Sequence, residues 1–269
     1  MPKSTQAQRV LFTNMKTIRY LSQFLLCASL WGQAGTTILP KTTLPPKTTV
    51  FAGGTGGTGA FVTHDYTPGF GSGVVSMTTT GSTLLIAIVT GATGVTISDA
   101  VTSPSCASPC NAWNALTPVT TYDVQIFYAY AKTGGGSLVV GTGHTFTESN
   151  TNGDLFGMTF SGTNTTSPLE TNGQNGVEDG FVTSGQPGAC PSSGSLSQAS
   201  GEVVVTALQT GSATTNPAIN SGFTLVDDGS STAPADAYLI TTLTTAVNPT
   251  WSWTTSSHWG SAIACFLHS

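Results

Sequence analysis

Apolar positions along this chain recur at every second residue or in short unbroken runs, and rarely with the spacing of a helix face. The clearest segments are 82–90 (STLLIAIVT), 124–132 (VQIFYAYAK), 155–161, 202–208 (EVVVTAL), 222–226, 237–243, 250–254 (WSWTT) and 259–267. Turn-forming residues separate them at Thr133–Gly136, Asn152-Gly153, Asp228-Gly229 and Asn248-Pro249. With weaker candidates at 95–98 and 137–140, about ten to twelve strands are predicted. An immunoglobulin-type domain uses seven to nine strands in about 100 residues, so this pattern suits a larger fold. The expectation is all-β: a two-sheet antiparallel β-sandwich of jelly-roll type spanning 61–269. "LLIAIV" is apolar at every position and belongs in the middle of a sheet, whereas "WSWTT" alternates, so Trp251 and Trp253 share a face.

The N-terminus departs from this pattern. From Met15 the chain has a basic start (Lys16, Arg19), an apolar stretch over 20–31 and a small-x-small Gly32-Gln33-Ala34. That is the layout of an export signal, predicted as 1–34. Met15 serves as a start as well as Met1 does, because 1–14 adds nothing that export requires. The apolar stretch falls short of the roughly 20 residues a membrane-spanning helix needs, so no span is expected. Leu26 precedes Cys27 where a lipoprotein signal has a small residue, which speaks against acylation. Residues 35–60 alternate prolines with threonines, repeat Lys-Thr-Thr and end in "GGTGGTG". This segment reads as a linker or a plain tail, and the protein as secreted or displayed on a cell surface.

Charged residues make up 7% of the chain, against roughly 25% in an average soluble domain. Hydroxyls and backbone must therefore wet the surface. Beyond the predicted leader, Lys41, Lys47 and Lys132 face twelve acids. Nothing there neutralises phosphates, and nucleic acid is not an expected partner.

Candidate chemistry is sparse. His64, His144, His258 and His268 never fall at metal-ligand spacing, and no HExxH, GxSxG or Walker loop occurs. Acid pairs such as Glu178-Asp179 leave a glycoside hydrolase on a sandwich fold as one alternative. Asp227, Asp228 and Asp236 bracket "DDGSSTAPAD", where hard oxygen ligands suit structural Ca²⁺ and an ordinary acidic turn is the competing reading; no other cofactor is expected. Trp251, Trp253, His258 and Trp259 cluster near the C-terminus. They form either a platform for sugar rings or a filled core, and Tyr128 and Tyr130 share that ambiguity. Export permits disulfides, and Cys106 with Cys110 in the turn-rich "SPSCASPCNAW" is the expected bridge. Cys265 reads as a buried core residue or as the partner of Cys190.

An ordered set of segments resembles a β-sandwich module found in exported and surface proteins of bacteria and in some phage proteins. "STLLIAIVTGATGVTISDA" resembles its opening strand and hairpin, "NAWNALTP" its Asn-x-Trp/Tyr-x-x-Leu strand, and "VQIFYAYAKTGGG" its tyrosine-rich strand. "FGMTFSGTNTTSPLE", "GFTLVDD" and "WGSAIACFLH" complete the order. The Cys106–Cys110 insertion and Phe160 depart from it. The resemblance implies a non-catalytic module for adhesion or surface display and transfers no catalytic residues. The expected partner is a polysaccharide or other surface polymer; self-association into a surface assembly is the alternative.

Overall fold

The computed structural model describes residues 60–67, 73–92, 94–120, 122–195, 202–211, 216–227, 234–242 and 245–269. The predicted leader lies outside the described residues, as does the predicted linker apart from Ala60. Every element is a strand: β1 (Ala60–Thr67), β2 (Val74–Met77), β3 (Leu84–Thr90), β4 (Ile97–Ser103), β5 (Asn114–Ala115), β6 (Val124–Ala129), β7 (Thr142–Glu148) and β8 (Asp154–Ser161). The second half adds β9 (Leu169–Gly185), β10 (Cys190–Ser195), β11 (Glu202–Thr210), β12 (Ala218–Ile219), β13 (Thr224–Asp227), β14 (Ala235–Thr241), β15 (Thr245–Val247) and β16 (Trp251–Leu267). All pairings between them are antiparallel.

Strand β3 accounts for the layering. All seven of its residues are buried, and it lies at the centre of a five-stranded sheet ordered β1-β8-β3-β6-β5. Leu84, Ile86 and Ile88 pack with Val203, Val205, Ala264 and Phe266 of a six-stranded sheet. That sheet runs β12-β16-β11-β14-β13, with β9 also paired to β16. The alternate side chains of β3, Leu85, Ala87 and Val89, pack with Val75, Ile97 and Phe146 of a three-stranded sheet, β2-β7-β4. Each fully buried Leu or Ile contributes about 1.5–3 kcal/mol, so a strand apolar on both faces draws a layer onto each. Strand β16 does the same. Its Phe266 side faces β3, while Ile263 and Cys265 pack with Cys190 and Val247 from the two-stranded sheet β10-β15.

The antiparallel sandwich expected from the pattern is therefore present, but four sheets build it where two were expected. The segments at 250–254 and 259–267 join into one long β16, because pairing with β9 continues past Ser257. Residues 138–140 form no strand, and only an isolated bridge between Ala131 and Ser137 occurs there. Strand β7 escaped the pattern because two of its three buried side chains, His144 and Glu148, are polar.

The Ser-Gly-Thr-Asn-Thr-Thr run after β8 is a corner. Gly162 takes φ 75°, a conformation costly for a residue with a Cβ. Asn164 Oδ1 then accepts from the amides of Thr166 at 2.8 Å and Ser167 at 2.9 Å.

Candidate functional site

Trp251, Trp253 and Trp259 do not form an exposed platform: they are 0%, 4% and 2% exposed. Their alternate spacing puts them in one cluster with Leu208, Ala235 and Ala237. Two of the three indole N–H groups are engaged there, Trp251 Nε1 donating to Thr206 Oγ1 at 3.2 Å and Trp253 Nε1 to the Val182 carbonyl at 2.9 Å, while Trp259 Nε1 is buried without a partner. Indoles this well covered fill a core, which corrects the platform reading at these three positions. Tyr128 is half-buried, edge-on to Phe266 at 5.4 Å and stacked with Tyr130 at 6.0 Å.

His258 has the opposite fate. It points away from the face that Trp259 occupies and is exposed. Its ring lies 6.0 Å from that of Tyr122, with the planes 10° apart. Phe181 meets it at 5.6 Å and 70°, so the three rings form a corner. Phe181 is 65% exposed, against 39% for Val74 and 36% for Leu225, the other exposed large apolar side chains among the described residues.

Two glycines position this corner. A Cβ on Gly211 would lie 2.5 Å from the Tyr122 ring, and one on Gly260 would lie 3.1 Å from Tyr122 Cβ and 3.2 Å from Val119. The turn carrying Tyr122 can settle on the sheet only where these side chains are missing. The Gly211 amide donates to the His258 carbonyl at 2.9 Å. Gln209 pairs with Gly260, so it shares the His258 face. Its Nε2 donates to the Thr210 carbonyl at 3.2 Å, and its Oε1 has no protein partner. Sequence reasoning included His258 and missed Phe181 and Tyr122. A lone phenylalanine inside "GVEDGFVTSG" was the available signal.

The other histidine of note, His144, belongs to a sealed polar knot. Thr79 Oγ1 lies 2.8 Å from Nδ1 and Asp99 Oδ2 lies 2.8 Å from Nε2. A carboxylate only accepts, so Nε2–H donates to Asp99, and the Thr79 hydroxyl has Nδ1 and, at 3.3 Å, the Gly141 carbonyl within reach. The Asp99 carboxylate also accepts from the amides of Cys110 and Asn111 and from the Asn111 side chain. Burial alone would raise this carboxyl, but the hydrogen bonds from His144 and Asn111 outweigh it and hold the group below its ordinary value. Hydroxyl, imidazole and carboxylate are connected as in a nucleophilic triad. Yet Thr79, His144 and Asp99 are at most 1% exposed, and Thr79 Oγ1 also accepts from the Gly141 amide at 3.0 Å. A substrate has no approach to that hydroxyl. The knot joins the three strands of the β2-β7-β4 sheet.

Glu202 is fully buried. Burial, together with the neighbouring Glu170 carboxyl, pushes it up to about 8. Near the expected metal loop, Asp227 and Asp236 face each other across β13 and β14, and Asp236 Oδ1 accepts from the Asp227 amide at 3.0 Å. Asp228 lies outside the described residues, as do the side chains of Glu178 and Asp179. Among the described residues no group of three or more His, Cys, Asp or Glu is placed to hold a metal ion.

Both disulfides are formed. Cys106–Cys110 staples the loop after β4 as expected, and Cys190–Cys265 closes a separation of 75 residues to tie β10 to β16. No helix among the described residues is long and apolar enough to cross a membrane.

Fold and bridges together define an all-β, disulfide-bonded antiparallel sandwich. No protein-family model matches this chain. Neither a curated protein nor a solved structure is significantly similar to it.

Proposed function

We propose that this protein is an exported, non-catalytic β-sandwich module that adheres to uncharged polymers at a cell surface or outside the cell. The carrying observation is a division of labour among the side chains. The groups best suited to chemistry, Thr79, His144, Asp99 and Glu202, are sealed inside, while the rings of Phe181 and His258 face water. Two further features support the reading: the sequence resemblance to bacterial surface modules, and the two disulfides, which favour an oxidising compartment.

Incubating the purified protein on a glycan array, with a reducing-end assay on the same polymers, tests this function. Binding without release of new ends is expected. Release of reducing ends would instead make it a hydrolase. Absence of binding, with scattering mass rising with concentration, would favour a self-associating structural subunit.

A further inference from the structure

Phe181 on β9, His258 on β16 and Tyr122 over Gly211 at the end of β11 place three aromatic rings across three adjacent strands. A single exposed apolar side chain is ordinary, but Phe181, at 65% exposure, is one of three aromatic rings in contact, and an apolar cluster at a surface marks a binding site. The surroundings restrict what could cover it. Among the described residues Lys132 is the one Lys or Arg, and it sits after β6, the strand that Tyr122 precedes. Among the described residues no Lys or Arg stands beside the rings to attract an anionic ligand. Exposed threonines lie on the same strands, Thr183 on β9 and Thr255 on β16. A purely apolar partner would desolvate these hydroxyls at a cost.

From this combination, and resting on the adhesion reading above, we infer that the Tyr122–His258–Phe181 corner binds pyranose rings of a neutral polysaccharide. The C–H face of such a ring is apolar and stacks on an aromatic face, while its equatorial hydroxyls point outward to hydrogen-bond partners. Two nearly parallel rings with a third set across them hold a sugar by its face and by one edge.

Native affinity electrophoresis of the purified protein tests this, in gels containing hydroxyethylcellulose, mannan or amylose and, as an anionic control, polygalacturonate. Retardation by at least one neutral polymer is expected, weakened at least tenfold in Phe181→Ala and in His258→Ala, with thermal midpoints unchanged. Gly211→Ala, which drives a Cβ into the Tyr122 ring while leaving the other two rings intact, should also weaken it. If the wild type is retarded and all three variants match it, the corner is not the site, although the adhesion reading survives. Retardation by polygalacturonate alone overturns the neutral assignment. No retardation in any gel overturns both.

Discussion

His144 and His258 occupy two contrasting regions of the same sandwich. His144 has the connectivity of a catalytic base, with a hydroxyl on one nitrogen and a carboxylate on the other, and no access. His258 has access and ring neighbours, and no such relay. Connectivity in the interior serves the fold, because a buried polar group must be paired whatever else it does. Exposure of an aromatic ring is the more informative anomaly, since nothing in the fold requires it.

The contrast is most easily broken at its buried end. Asp99→Asn removes the charged partner from a sealed network and is expected to cost about 3–5 kcal/mol in urea unfolding, the range for breaking a buried pair. A loss below about 1 kcal/mol would mean that the knot is not sealed. In the parent protein the Asp99 carboxyl sits below its ordinary value of 3.8. Its stabilisation is therefore present above that value and disappears as pH falls below it. Acid unfolding should steepen there in the wild type and be flatter in the variant.

Trp251→Ala tests the same separation on β16 and is expected to cost about 3–5 kcal/mol, as for a buried aromatic. A change within about 0.5 kcal/mol would place the indole at the surface.

Glu202 sharpens the comparison through pH. Its carboxyl is raised from 4.5 to about 8 in the folded protein, so the native state holds a proton that the unfolded chain releases. The contribution of this group to stability is fully present below about 4.5 and declines as pH rises toward about 8, with a slope of up to about 1.4 kcal/mol per pH unit. Glu202→Gln should remove that slope and raise the thermal midpoint most at pH 8 to 9. An unchanged slope would show that the group is ionised inside the fold.

Phe181→Ala stands at the other extreme, with an expected stability change within about 0.5 kcal/mol. A larger loss would mean that the ring is part of the core and not a ligand surface.

The sequence pattern revealed one kind of information well and another poorly. Unbroken apolar runs such as "LLIAIV" carried the centre of the fold, because hydrophobic burial is nearly all that determines such a strand. Strands lined with polar or small residues, β7 among them, were invisible, since a residue such as His144 is buried through partners distant in sequence, Thr79 and Asp99. The tryptophans showed the limit of alternation as a signal. It places Trp251 and Trp253 on one face without revealing that a further layer covers that face. The ring corner was legible only in part, because Tyr122, Phe181 and His258 come from three separate segments joined by strand pairing and by glycines at 211 and 260.

The most direct measurement is a titration of the isotope-labelled protein with a neutral oligosaccharide series, followed by amide chemical-shift mapping. Shifts are expected to concentrate at Tyr122, Phe181, Gly211 and His258, with the amides of Asp99 and His144 unmoved. Shifts centred elsewhere on the sandwich, or none at saturating sugar, would contradict this expectation.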